Sequence, residues 1–345
     1  MKKPKAYPHA DYRGDYLSRR DLLKRALILG GTGAAGLYLA YAPENSPLSR
    51  RDYSGMRGMP VEQPFQLPDF RVAPANTDVE VGIGRGGSAR EMLLKALDAV
   101  GGLSRFVQPG DVVLLKPNVA FDRSPNLGAT TNPAIIDTLV RLLLVDARAA
   151  EVRVADNPIE SPADCFAKSG IGAAAEQAGG RVYLPDSNAF EPLYTPGAKL
   201  IEQWAFFKRP FKDVTKVIGI APAKDHNLCH ASLGIKNWYG LLGGRRNQFH
   251  QDIHEIVSDL SIMIRPTLTI VDGTRVLMEN GPTGGDPANV RDGNAILVGL
   301  DPVATDAWAY EHLLQRSGRL PDYLHMAEQK GSGRANYASR IRIIT

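Results

Sequence analysis

Short apolar runs that end on polar residues, alternating with stretches of helical spacing, constrain this 345-residue chain more than any other feature. Val112-Val113-Leu114-Leu115 is a run of branched residues bounded by Pro109-Gly110 and Lys116-Pro117, the pattern of a buried strand. From Ala134 to Leu144, Ile135, Leu139, Leu142 and Leu143 fall on one helical face. Further strands are predicted at 152–155, 181–184, 214–220, 268–271 and 295–300, and helices at 163–178, 250–264 and 303–316. This alternation predicts an α/β fold, a mainly parallel sheet with helices on both faces. In such sheets ligands sit beyond the carboxyl ends of the strands. If the strands run parallel, the polar exits at Lys116-Pro117-Asn118, Asp156-Asn157, Lys224-Asp225-His226, Asp272-Gly273 and Asp301-Pro302 converge on one edge. Gly82-Ile83-Gly84-Arg85-Gly86-Gly87 has dinucleotide-type glycine spacing, but the next strand ends in Lys116 rather than in a ribose-gripping acid. It reads as a tight turn opening a helix near Ser88.

The ends set the compartment. Ser18-Arg19-Arg20-Asp21-Leu22-Leu23-Lys24 precedes an uncharged apolar run from Ala26 to Ala42, and the whole resembles a twin-arginine export signal. Ala40-Tyr41-Ala42 has the form of a cleavage site, yet Pro43 follows it. Residues 1–42 are therefore a cleaved signal or an N-terminal anchor, with the twin-arginine machinery as partner and an exported, periplasmic or membrane-anchored body. Residues 43–75 read as a proline-rich tether and 76–345 as the α/β domain. Without the eight basic and three acidic residues of the first 42, the chain keeps 33 Lys and Arg against 34 Asp and Glu. A near-neutral body gives no footing for a nucleic-acid partner. Cys165 and Cys229 are the only thiols, too few for a four-cysteine iron–sulfur cluster; they either pair in an oxidising compartment or stay unpaired and buried.

Chemistry concentrates between Lys224 and His254, which holds four of the seven histidines. Three readings compete there. His226, Cys229, His230, His250 and His254 suit a transition metal. Lys224, Lys236, Arg245 and Arg246 suit an anion. The third reading is of ordinary hydrogen-bonded histidines. On a helix, His250 lies nearer than His254 to the buried face set by Ile253, Ile256, Val257, Leu260 and Ile264. Lys236, between Gly234-Ile235 and Asn237-Trp238, is placed for partial desolvation and covalent work.

Several segments together resemble the domain-of-unknown-function 362 family: Leu115-Lys116-Pro117-Asn118, Thr131-Asn132-Pro133, Lys224-Asp225-His226, and Leu233 to Gly240. Arg246 with His250, Val271-Asp272-Gly273, Gly281 to Gly285, and Asp301-Pro302-Val303-Ala304-Thr305-Asp306 complete the set. The resemblance runs from about residue 79 to 315 and implies no particular reaction. The cysteine-rich ferredoxin-type segment of many relatives is missing. The order His226, Lys236, His250 is also similar to the nickel-pincer lactate racemase family. That resemblance implies a cofactor tethered at Lys236, a metal on His250 and substrate proton exchange by His226.

The expectation is an exported metal- or cofactor-dependent enzyme acting on a small anionic substrate, with isomerase-like proton transfer. Its rival is a non-catalytic extracytoplasmic protein that binds an anion or metal. Lys116, Asn118, Lys224, Asn237 and Arg246 are expected at the substrate, His226 as acid–base group, and Lys236 as carrier of a covalent cofactor. His250, Asp272, Asp301 and Asp306 are expected at a metal.

Overall fold

The computed structural model describes residues 64–72 and 79–345, all within one compact unit. The export signal or anchor and most of the tether lie outside the described residues.

Twelve strands are present among them. These are β1 (Val81–Arg85), β2 (Val112–Lys116), β3 (Glu151–Ala155), β4 (Arg181–Tyr183), β5 (Phe190–Tyr194) and β6 (Gln203–Phe207). They continue with β7 (Lys216–His226), β8 (His230–Ser232), β9 (Leu268–Leu277), β10 (Val290–Arg291), β11 (Ala295–Gly299) and β12 (Ile341–Ile344). The main sheet runs β12-β1-β11-β9-β7-β2-β3-β4, with β8 on β7 and β10 on β9, while β5 and β6 form a separate pair. β9, β7, β2, β3 and β4 are mutually parallel.

Alternate residues along these strands feed two cores, as a sheet buried on both faces requires. Val113, Leu115, Val152, Val154, Ile218 and Ile220 pack beneath α1 (Ala89–Ala99), α2 (Pro133–Arg141), α3 (Pro162–Lys168) and α4 (Ile171–Gln177). On the other face Leu114 and Val217 meet the short α5 (Gly234–Asn237), α6 (Ile253–Met263), α7 (Pro302–His312) and α8 (Asp322–Gln329) through Ile235, Ile256, Val303 and Tyr323. The α/β fold, mainly parallel and covered on both sides, is the one predicted.

Four local expectations are corrected. The glycine motif is not a turn throughout: Gly82 and Gly84 lie inside β1, where a Cβ would come within 2.3 Å of Ala96 O and 1.9 Å of Met92 O. Their bare backbones let α1 lie against the sheet. Only Gly86 and Gly87 turn, with φ of 72° and 86°, before Ser88 and Glu91 cap α1 reciprocally. The helix predicted over 163–178 breaks into α3 and α4 at Gly170, whose φ of 71° ends one helix and starts the next. Residues 64–72 are not a free tether. Phe70 is buried, its N–H donates to Arg265 O (3.0 Å), and its carbonyl accepts from Thr267 Oγ1 (2.8 Å).

The fourth correction bears on the site. β11 runs antiparallel to β9. Its exit, Asp301, is thus carried to the opposite edge of the sheet from Lys116, Asp156 and Lys224. There Asp301 caps α7 through Val303 N and Ala304 N (both 2.9 Å) and pairs with Arg340 (2.8 Å).

Candidate anion-binding site

Where β2, β3 and β7 end, the chain turns over the sheet edge and encloses a cavity of about 70 Å³. Lys116, Asn118, Lys224, His226, Lys236, Asn237, Arg246 and His250 all line it. Eight of the eleven residues expected at a site are therefore brought together from four separate stretches of chain. Asp156, Tyr239, Ser232, Phe121 and Pro282 join them without having been assigned a role. Asp156 did carry a signal, since it is a polar strand exit like Lys116. Tyr239 and Pro282 lie in segments that carry the family resemblance, whereas Ser232 and Phe121 have no such signal.

The three lysines differ in how fully their amines are engaged. Lys116 Nζ contacts Asp156 Oδ1 (2.7 Å), Asn237 Oδ1 (2.8 Å) and Pro117 O (2.9 Å), so each of its three donors has an acceptor. Burial pulls this amine below its ordinary value and Asp156 pulls it back up. Three close acceptors keep it an ammonium. Lys224 Nζ has two neutral acceptors, Ala129 O (2.7 Å) and Asn118 Oδ1 (3.2 Å), with the Phe121 ring 5.1 Å away. Burial, then Lys236 and Lys116, hold its amine well below the usual lysine range. Lys236 Nζ has no hydrogen-bond partner among the described residues, and the Tyr239 ring centroid lies 5.4 Å away. Burial lowers this amine too, with Arg246 adding to the effect.

Asn237 and Arg246 are framework rather than free ligands. Asn237 Nδ2 donates to Lys116 O (3.0 Å) and Ile220 O (3.2 Å), while its Oδ1 accepts from Lys116 and from Asn118 Nδ2 (3.2 Å). It thereby ties α5 to β2 and β7. The Arg246 guanidinium is spent on four carbonyls: Tyr239, Leu242, Asn157 and Pro158. Gly240 is required beneath them, because a Cβ there would lie 2.0 Å from Asp156 Oδ1 and 2.7 Å from Lys116 Nζ.

The histidines form two pairs. His226 and His250 stack with ring centroids 6.4 Å apart at the cavity wall. His230 and His254 approach at 6.3 Å outside it, where His254 Nδ1 accepts from Tyr323 N (3.3 Å). Burial, then Lys236 and Lys224, push the His226 imidazole down to about 2, so the ring is neutral at physiological pH. Its Nδ1 accepts from Leu228 N (3.2 Å), which leaves Nε2 as the protonated nitrogen. Burial also lowers His250, whose Nδ1 contacts Asn247 O (3.0 Å).

The expected metal set is not assembled. Asp301 lies at the far edge. Asp272 is buried with Asn132 N (2.9 Å), Thr274 N (2.9 Å) and Thr274 Oγ1 (2.6 Å) on its oxygens. Asp306 accepts from Gly234 N (2.8 Å) and Ile235 N (2.9 Å), and so fixes the start of the short helix that carries Lys236. None of the three lines the cavity with His250, because backbone amides claim each carboxylate. No group of three or more His, Cys, Asp or Glu among the described residues is arranged for a metal. The unpartnered amine of Lys236, at the cavity wall, suits a covalent attachment. Cys165 and Cys229 are free and buried, and burial raises the thiol of each.

What this arrangement can do follows from its charges. Lys116, Lys224, Lys236 and Arg246 face one carboxylate, Asp156, among the residues lining the cavity. Buried cations in excess either shed protons or take up an anion.

The family described as Domain of unknown function (DUF362) matches residues 113–311. A thylakoid-associated protein of Synechocystis sp. is 28% identical over 221 residues, which cover 59% of this chain and 64% of that protein. The chain thus spans less than two thirds of that relative's length. Among solved structures, the lactate racemase apoprotein from Thermoanaerobacterium thermosaccharolyticum is 15% identical, covering 72% of this chain and 58% of that one, with a TM-score of 0.39. A protein of Thermotoga maritima is 13% identical, covering 71% of this chain and 58% of that one, with a TM-score of 0.30. No helix among the described residues is long and apolar enough to cross a membrane.

Proposed function

Because the chain belongs to the DUF362 family, whose description names no reaction, we propose its function from its own residues: an exported enzyme that binds a small carboxylate or similar oxoanion and moves a proton on it. The observation that carries this reading is the excess of buried cations over carboxylates in the cavity. The substrate's negative charge lies between Lys224, which keeps one donor free, and Lys236, which keeps all of them.

Proton movement rests on the same charges. Without an anion, Lys236 suppresses protonation of Lys224, and both amines suppress that of His226. A bound carboxylate offsets that repulsion and raises all three basicities together. Substrate therefore prepares the site. His226, neutral and protonated on Nε2, donates a hydrogen bond to oxygen charge developing on the substrate, as a neutral imidazole does best near an existing positive charge. Of the two amines, one stays protonated and holds the carboxylate, while the other, where it remains unprotonated, is the base strengthened by the bound charge. Arg246, Asn237 and Asn118 hold the walls.

Calorimetry with phosphate, oxalate, lactate and pyruvate on the purified full chain tests the binding. At least one small carboxylate is expected to bind with proton uptake and with affinity falling as pH rises, since only protonated amines attract it. Loss of α-hydrogen to D2O, followed by NMR, tests the chemistry. The proposal is overturned if no small anion binds, or if binding is unchanged in both Lys224→Met and Lys236→Met.

A further inference from the structure

We propose that Lys236 is an imine-forming amine and that the substrate is a small carboxylate bearing a carbonyl at the 2 or 3 position. The inference rests on the anion-binding reading and narrows it. Among the three buried lysines, Lys116 has three acceptors, Lys224 two and Lys236 none. An amine held by three acceptors has no lone pair to offer. One held by none adds to an electrophile without breaking a hydrogen bond first. Lys236 is also largely buried, with the Lys224 amine and the Arg246 guanidinium lining the same cavity, and desolvation together with a neighbouring cation is the environment that makes a lysine nucleophilic near neutral pH.

The mounting of Lys236 is rigid. α5 is only four residues long, yet Asp306 holds its first two amides and Asn237 ties its last residue to β2 and β7. The amine is presented from a fixed base, as covalent catalysis requires. The cavity volume of about 70 Å³ limits the reacting part of the ligand to a few heavy atoms.

The step balances without a co-reactant. The Lys236 nitrogen lone pair forms the N–C bond as the carbonyl π pair moves to oxygen. That oxygen receives a proton from the same nitrogen, relayed by a neighbouring donor such as His226 Nε2–H. The carbinolamine then loses its hydroxyl with the second amine proton as water, and the N=C bond forms. Lys224 holds the carboxylate. Taking a proton back from solvent, the imine nitrogen draws electrons from the adjacent carbon, which lowers the barrier to removing a proton there.

The test uses the full chain with pyruvate as probe. Pyruvate and cyanoborohydride are added at neutral pH, intact mass is measured and peptides are mapped, while calorimetry with pyruvate alone is run in parallel. The expected result is one adduct per chain, with the mass of pyruvate less water plus two hydrogens, on Lys236. Lys236→Arg, which preserves the positive charge, is expected to bind pyruvate without forming the adduct. Binding by the wild type without an adduct, or adducts only on Lys224 or surface lysines, overturns the imine and leaves the anion site standing. Neither binding nor adduct for pyruvate, with another carboxylate binding, overturns the substrate class. If no anion binds at all, both readings fall.

Discussion

Asp156 is the residue whose removal most directly probes the charge balance of the cavity. Its side chain and that of Lys116 are each 1% exposed, with 2.7 Å between Oδ1 and Nζ. Oδ2 accepts from Val119 N (2.7 Å) and Oδ1 from Asn157 N (3.0 Å). In Asp156→Ala, Asn157 N keeps its second acceptor, Gly240 O at 2.8 Å, but Val119 N loses its partner and Lys116 its counter-ion. Breaking a buried ion pair from one side costs about 3–5 kcal/mol, and an orphaned buried amide adds about 1–3 kcal/mol. Lys116 can escape part of the first cost by shedding its proton, since burial already lowers its amine. A net loss of about 4 kcal/mol follows, a large fraction of the about 5–15 kcal/mol that stabilises a typical domain. Urea unfolding followed by tryptophan fluorescence measures it. The paired change Lys116→Met with Asp156→Ala removes both charges. It is expected to be less destabilising than the sum of the single changes by about 2 kcal/mol. Because Asp156 is the one carboxylate among the cavity residues, the surviving folded Asp156→Ala protein should bind oxalate more tightly than wild type. A loss below about 1 kcal/mol, or weaker oxalate binding by folded protein, refutes the reasoning.

Two further predictions concern other parts of the chain. Burial pushes the Asp306 carboxyl from 3.8 up to about 7. The folded state then holds the extra proton between those values, so its stability falls as pH rises from about 4 to 7, by at most about 4 kcal/mol; Asp306→Asn should lack this component, and parallel stability–pH curves for the two proteins would count against it. Replacing Arg19 and Arg20 by lysine should hold the full-length chain in the cytoplasm on cell fractionation; unchanged partition would remove the twin-arginine reading.

Much of the architecture could be read from residue order, because apolar runs and helical spacing are local properties. The strands at 112–116, 151–155 and 295–299 fall where branched residues cluster. Direction is not local. Nothing within Ala295–Gly299 marks it as antiparallel to β9, and this alone sent Asp301 to the wrong edge. The same limit explains Asp306. Its partners, the amides of Gly234 and Ile235, lie about seventy positions earlier in the chain, and a backbone donor leaves no mark in the sequence. His250 lines the cavity from a 3-10 turn over Arg246–Asp252, where helical spacing predicts an α-helix. The lysines were recognised as polar residues in unusual company. Their ranking by free donors needed coordinates, since it depends on carbonyls and amide oxygens brought from Pro117, Ala129 and Asn237.

The main sheet joins the two ends of the described chain: β1, at residues 81–85, pairs with β11 on one side and with β12, at 341–344, on the other. A growing polypeptide therefore carries β1 unpaired until residues 295–299 and 341–344 have been made. The roof of the cavity includes Pro282, so the lysines spend most of synthesis in water, with the basicity of any exposed amine. Their altered acid–base behaviour begins only when the last third of the chain settles against the first. Contacts so distant along the chain also favour slow folding. The charge arrangement of the cavity is thus complete only once residues from Lys116 to Pro282 have come together.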